Sequence, residues 1–222
     1  MNVGQLLERL DARYPLEAAY DWDPVGIQLG GPTRPVGRVA VCHEVTAGVV
    51  DAVVAGDVTT LVAYHPLLFT PVLRLTDGPT AEGRALRLVE AGTALIVVHT
   101  ALDTARPGTG DVALEALGLA VSGAFGAEPD SSEVGRYSDL DEPWTTEQVA
   151  ARVGERLGVV PRIADAGRPI RRLGILPGSG GAFLPDVPGF VDAVVTGDVS
   201  HHRAIAARDA GVTVLDVGHS AT

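Results

Sequence analysis

The chain has 222 residues, 46% of them hydrophobic, and a formal net charge of −11; that length suits one large domain or two intimate halves with a substantial core. The acidic balance and the absence of any lysine or arginine run argue against a nucleic-acid partner, and the single cysteine, Cys42, excludes both a disulfide framework and a thiolate zinc site. Met1 to Leu10 carries charges rather than a leader-like apolar stretch, and no apolar run approaches the roughly 20 residues of a membrane span, so a cytoplasmic protein with no membrane partner is expected.

Asn2-Val3-Gly4-Gln5 has the form of a capping box, and Val3, Leu6, Leu7 and Leu10 repeat at helical spacing, which predicts a helix ending before Pro15. Asp21 to Gly30 is a turn-rich segment leading into a short extended stretch. Val39 to Cys42 reads as a strand, and Thr46 caps a helix to about Ala55 whose stripe is Val49, Val50, Val53 and Val54. Leu61 to Tyr64 is the next strand, halted by Pro66; Thr80 to Ala91 is a helix with Ala85, Leu86, Leu88 and Val89 inward. Ala94 to Val98 is a strand, and Gly110 to Leu117 is a helix that Gly118 closes. From Val121 to Asp141 the apolar signal fades, which predicts a connection between halves. Trp144-Thr145-Thr146-Glu147-Gln148 opens a helix through about Leu157, with Val149, Val153 and Leu157 in register. Three more strands follow, Leu173 to Leu176, Ala193 to Thr196 and Val212 to Leu215, with a short helix over His202 to Asp209. The alternation of strands and helices argues for an α/β protein with covering helices, in two lobes, 1–120 and 121–222.

Asp51-Ala52-Val53-Val54-Ala55-Gly56-Asp57-Val58 nearly duplicates Asp192-Ala193-Val194-Val195-Thr196-Gly197-Asp198-Val199, but the first copy continues a helical stripe and the second reads as a strand. A better register matches Leu61–His65 with Ala193–Asp198, each a strand ending in polar, ligand-type groups.

All six histidines sit at or just past the carboxyl end of a short apolar run: His43, His65, His99, His201, His202 and His219. Runs this short and β-branched read as buried strands, and open α/β sheets bind ligands outside the carboxyl ends of their strands. Glu44, Asp103, Asp198 and Asp216 crowd the same ends. Imidazole and carboxylate converging on one edge form a divalent-metal ligand set, although a histidine at a polar strand end needs no such role. Gly178-Ser179-Gly180-Gly181 offers backbone amides to an anion or else makes a tight strand-to-helix turn. Pro177 stands where a nucleophile elbow requires glycine, which disfavours a serine hydrolase. Trp22 and Trp144 read most simply as core or interface aromatics.

Five motifs in order make the chain recognisable: Trp22-Asp23-Pro24-Val25-Gly26-Ile27-Gln28, Tyr64-His65-Pro66-Leu67-Leu68-Phe69, His99-Thr100-Ala101-Leu102-Asp103, Thr196-Gly197-Asp198-Val199-Ser200-His201-His202 and Asp216-Val217-Gly218-His219. Together they resemble the NIF-three-like family, the GTP cyclohydrolase I type 2 homologues, over nearly the whole chain. The resemblance implies a homohexameric ring of two-lobed α/β subunits with mixed sheets, each subunit holding one or two divalent metals (zinc, iron, manganese or magnesium) between its lobes. It assigns His65, Asp103 and His219 as metal ligands and puts Tyr64 where the family has the first histidine of its His-His-Pro. A neutral phenol is a poor ligand, because binding must displace a proton with a pKa near 10. The family's bridging glutamate falls four residues after the late histidine, one position beyond Thr222. Glu44 replaces the usual aspartate, and Pro24 and Ala101 replace two asparagines.

The expected function is therefore that of a metal-dependent hydrolase acting on a small molecule, with His99, Asp198 and Glu44 as the proton carriers. The alternative is a non-enzymatic ring-shaped scaffold that binds metal or a partner. For His99 the other roles are orienting Asp103 or satisfying a buried carbonyl; for Asp198 it is a favourable charge before a helix start.

Overall fold

The chain opens with the capping box that the sequence predicts. In the computed structural model, which describes residues 1–126 and 133–222, the Asn2 side chain accepts from the Gln5 N–H at 2.9 Å and the Gln5 side chain accepts from the Asn2 N–H at 3.0 Å. They start α1, Val3–Asp11. Thr46 likewise accepts from the Val49 N–H to start α2, Ala47–Ala55. Thr80 starts α3, Ala81–Glu90, and a Thr145–Gln148 capping box starts α6, Thr146–Leu157. Hydroxyl and amide side chains at these positions satisfy N–H groups that a helix leaves unpaired at its start.

By its internal contacts the chain divides into Met1–Ala105 and Arg106–Thr222. In the first unit, β2 (Arg38–Cys42), β3 (Val58–Ala63) and β4 (Ala94–Val97) run parallel, and β1 (Gly26–Leu29) lies antiparallel on the far edge, in the order β1-β4-β3-β2. Period-2 alternation sends Leu61, Ala63, Leu95 and Val97 to one face, where Val50 and Val53 of α2 and Ala85 and Leu88 of α3 cover them. Val62, Ala94 and Ile96 face the other way, against Val3, Leu6, Leu7 and Leu10 of α1. A short helix, α4 (His99–Thr104), follows β4 directly.

The second unit begins with α5, Thr109–Ala116. Its sheet has the order β5-β6-β8-β9-β10-β7. The strands are β5 (Gly123–Phe125), β6 (Gly135–Trp144), β7 (Arg162–Ala164), β8 (Ile170–Ile175), β9 (Ala193–Thr196) and β10 (Thr213–Asp216). β8, β9 and β10 are parallel; β5, β6 and β7 make antiparallel pairs at the flanks. Leu114 and Leu117 pack with Val149 and Val153 of α6 on Leu173, Ile175 and Val195, and α7 (His201–Asp209) lies against β7 and β10. The protein is thus α/β with two mixed sheets. β3 and β9 are each the middle of three consecutive parallel strands, which is the correspondence that the Leu61–His65 and Ala193–Asp198 register predicts. The near-duplicate octapeptide is helical in its first copy and strand in its second.

Two expectations need correction. The division falls after Ala105 rather than near residue 120, because α5 shares its core with the second sheet. The connection predicted over Val121 to Asp141 contains β5 and most of β6; its residues 127–132 lie outside the described residues. β6 escapes sequence detection because a charged residue supplies its largest buried side chain. Arg136 is fully buried, with its Nε donating to Asp111 Oδ2 at 2.9 Å and its Nη1 to the carbonyls of Glu133 and Gly135 at 2.8 and 3.1 Å. Asp111 Oδ2 also accepts from the Gly108 N–H at the start of α5.

Replacing Asp111 with alanine leaves that guanidinium buried without the carboxylate facing it. Asp111→Ala should lower the unfolding free energy by about 3–5 kcal/mol, read as a fall in the urea midpoint.

Candidate metal centre and its proton-handling neighbours

The parallel ladder of the first unit runs past the ends of its strands. The Tyr64 N–H donates to the Cys42 carbonyl at 2.9 Å, and the His65 N–H to the His43 carbonyl at 3.0 Å. The Val98 and His99 N–H groups donate to the Ala63 and Tyr64 carbonyls at 3.2 and 3.0 Å. Three successive strand ends are therefore held in register, and their rings meet. His43 stacks on Tyr64 with centroids 5.0 Å apart, His65 stands 4.5 Å from His43 and 4.7 Å from Tyr64, and His99 stands 5.1 Å from His65. Gln28 of β1 pins the turn after His65: its Oε1 accepts from the Leu67 and Leu68 N–H groups and its Nε2 donates to the Leu68 carbonyl, all at 2.9 Å.

Among the described residues, one group of metal-ligand type converges: donor atoms of His43, Glu44 and His65 all lie within 4.8 Å of one another. His65 is buried, while His43 and Glu44 are exposed. Burial lowers the pKa of His65; the Glu44 carboxylate, 2.5 Å from its Nδ1, opposes this, and His99 and His43 add to the lowering. His65 is thus kept neutral at physiological pH, the state in which imidazole ligates metal. Two imidazoles and a carboxylate at one edge are a donor set that fits a divalent cation. Neighbouring Cys42 is held as a thiol, because burial and the Glu44 charge push its pKa up.

Beside this cluster stand two built pairs. The Tyr64 hydroxyl lies 2.8 and 2.9 Å from the two oxygens of Asp103, a buried carboxylate on α4. His99 Nδ1 lies 2.9 Å from Oδ1 of Asp23, whose side chain is fully buried, and Asp23 Oδ2 accepts from the Thr100 N–H at 3.0 Å and the Thr100 hydroxyl at 2.5 Å. Burial tends to raise the Asp23 pKa, but the His99 and Thr100 hydrogen bonds and the His99 charge outweigh it and lower it overall. An ionised Asp23 can only accept, so His99 Nδ1 is the donor and Nε2 is left to take or give a proton. His99 reaches this position with φ of +22°, one of three non-glycine residues with positive φ among the described residues.

The second unit holds the other predicted residues. His219 Nδ1 lies 2.8 Å from Asp198 Oδ2, at the carboxyl ends of β10 and β9. Asp198 has φ of +54°. Asp216 is occupied by Arg162 and by the Val199 and Gly218 N–H groups, and His201 and His202 open α7. The Gly178 and Gly180 amides donate to the hydroxyls of Thr222 and Thr196 at 2.9 and 3.0 Å, in the turn that follows β8.

Of the predicted site residues, the first unit gathers Glu44, Tyr64, His65, His99 and Asp103 on one sheet edge, and the second pairs Asp198 with His219. Sequence reasoning missed His43 as a partner of Glu44 and His65, although it adjoins Glu44 just past the end of the same strand. It also missed Asp23, which lies 76 residues from His99 in the chain. Trp22, expected as a core or interface aromatic, is 55% exposed on this chain and so is not a core residue.

Residues 1–222 match the family described as Duf34/NIF3 (NGG1p interacting factor 3). The chain belongs to that family. A Streptomyces coelicolor protein named GTP cyclohydrolase 1 type 2 homolog is 34% identical over 100% of this chain and 81% of its own length. NGG1-interacting factor 3 of Saccharomyces cerevisiae is 26% identical, over 100% of this chain and 86% of its own. The crystal structure of a Staphylococcus aureus hypothetical protein superposes with a TM-score of 0.86 at 25% identity, covering 100% of this chain and 87% of that one. A Bacillus cereus protein related to NIF3 shares the fold, with a TM-score of 0.85 at 20% identity over 100% and 89% of the two chains. Among the described residues of this Duf34/NIF3 chain, no helix is long and apolar enough to cross a membrane.

The lowered pKa of Asp23 makes a signed prediction. A carboxyl held below its ordinary value of about 3.9 stabilises the fold at all higher pH values, and that stability is lost as pH falls through the lowered pKa. Asp23→Asn should cost about 1.5–3 kcal/mol at pH 7, and the gap from the unmodified protein in urea denaturation should close as the pH is taken below the carboxylate range.

Proposed function

We propose that this chain is a metal-dependent hydrolase that holds a divalent cation on His43, Glu44 and His65 and moves protons through His99. The observation that carries the reading is the convergence of those three donors beside a histidine whose Nδ1 is committed to a buried carboxylate. Two imidazoles favour zinc or iron over magnesium, which prefers an all-oxygen set. When bound, such a cation supplies Lewis acidity and lowers the pKa of a water towards neutrality.

The residues around it have separable tasks. Asp23 fixes the tautomer and direction of His99, so that Nε2 can accept a proton from the attacking water and return it to the leaving group. Tyr64 orients the Asp103 carboxylate, which family resemblance assigns to the metal. Buried His65 offers a neutral ligand with no proton to displace. The resemblance extends the proposal to a homohexamer, which sedimentation at micromolar concentration tests. The second reading, a metal-binding scaffold without catalysis, is favoured by one feature: a phenol bound to Asp103 stands where the family carries a ligand histidine.

Metal analysis after dialysis tests the site. His43→Ala and His65→Ala should each weaken metal retention by about 100-fold or more, since even outer partners of a metal site are worth about 10–100-fold. On whichever ester, phosphoester or amide substrate a hydrolase panel identifies, chelation should abolish turnover and His99→Gln should slow it by about 10²–10⁴-fold. Undiminished metal binding by both alanine variants would refute the site. Metal binding with no turnover anywhere in the panel would support the scaffold.

A further inference from the structure

Water-facing aromatic rings need a reason. Of the three exposed Trp and Phe side chains among the described residues, Trp22, Phe69 and Phe190, two stand against the same histidine. Trp22, 55% exposed, has its ring centroid 6.0 Å from that of His99 at an interplanar angle of 72°. Phe69, 53% exposed, stands 5.8 Å from it at 86°. Both rings are steeply inclined to an imidazole whose side chain is only 11% exposed.

Each ring has a support behind it. Trp22 stacks on buried Tyr20, with centroids 5.7 Å apart at 26°. Tyr20 is in turn anchored by its N–H to the Thr100 hydroxyl, the same hydroxyl that bonds Asp23. Phe69 directly follows Leu68, whose N–H and carbonyl are both held by Gln28. The two rings are thus set by the same short segments that set the proton-handling pair and the turn after His65. A flexible surface aromatic would not be braced in this way.

We propose that Trp22 and Phe69 form the recognition site for a planar aromatic or heteroaromatic ring, and that the substrate of the neighbouring centre carries such a ring. Aromatic pairs attract at centroid separations of about 4.5–7 Å in offset-stacked or edge-to-face geometry, and Trp22 and Phe69 are both solvent-facing rings beside His99. The proposed ring binds beside His99, the histidine that is paired with Asp23 and stands 5.1 Å from His65 of the metal-ligand group. Calling the bound molecule a substrate rests on the hydrolase reading; the binding of the ring does not.

Isothermal titration calorimetry on the full chain, with and without added zinc, tests this with adenosine, guanosine, quinoline and benzamide, using ribose and cyclohexanecarboxamide as ring-free and saturated controls. The expected result is binding of at least one aromatic probe and not of the controls. Trp22→Leu and Phe69→Leu should each weaken it about fivefold or more, in line with the worth of a base stacked on an aromatic side chain. Trp22→Phe should retain most of the affinity, and zinc stoichiometry should not change in any of the three. Binding of an aromatic probe to the His43→Ala variant without zinc supports the ring site whatever becomes of the hydrolase reading. Zinc binding without any probe binding at millimolar concentration overturns the ring site and leaves that reading intact. Equal affinity for benzamide and cyclohexanecarboxamide, or undiminished binding by both leucine variants, also overturns it. So does self-association abolished by Phe69→Leu with no probe bound, which would assign the rings to an interface between copies.

Discussion

The site of the first unit depends on one backbone constraint, the register of β3 between β2 and β4 and its continuation past the strand ends. The His65 N–H bonds the His43 carbonyl and the His99 N–H bonds the Tyr64 carbonyl. Because side chains alternate faces with period two, a slip of one residue in either pairing would exchange His65 with Tyr64 and move the apolar residues of β3 out of their covering layers. The cores on both faces of β3, Leu61 and Ala63 against α2 and α3 and Val62 against α1, therefore hold the ligand geometry. Packing and chemistry are set by the same hydrogen bonds.

A second constraint is the burial of charge. Asp23 is a fully buried carboxylate, and the three hydrogen bonds from Thr100 and His99, with the His99 charge, keep its pKa lowered there. That arrangement commits His99 Nδ1 to Asp23 and gives Thr100 two duties, since its hydroxyl also accepts from the Tyr20 N–H behind Trp22. Arg136 shows the same physics in the second unit without a chemical role: a buried guanidinium held by Asp111 and two carbonyls joins β6 to α5. In each case a buried ion is tolerated because its hydrogen-bonding capacity is met by groups already fixed in secondary structure.

Tyr64 stands between two partners. A phenol that donates to Asp103 orders that carboxylate without itself being an easily deprotonated ligand. The imidazole that stacks on Tyr64 is His43, which has a ring nitrogen within 4.8 Å of donor atoms of Glu44 and His65.

Much of this was legible in the sequence. Capping residues at Asn2, Thr46, Thr80 and Thr145 mark helix starts because they act locally, within three or four residues. The short β-branched runs mark the buried parallel strands, and the histidines and carboxylates just past them mark the edge where the candidate site gathers, because open α/β sheets place such groups at the carboxyl ends of their strands. What only the tertiary structure decided is pairing at long range. β6 was hidden because its burial rests on an ion pair with Asp111, 25 residues away, rather than on an apolar period. His43 could join Glu44 and His65 only once β2 and β3 were in register, and Asp23 could meet His99 only across 76 residues of chain. A sequence pattern records which residues have the right chemistry; which of them share one proton or one ion depends on distances that the folded backbone alone sets.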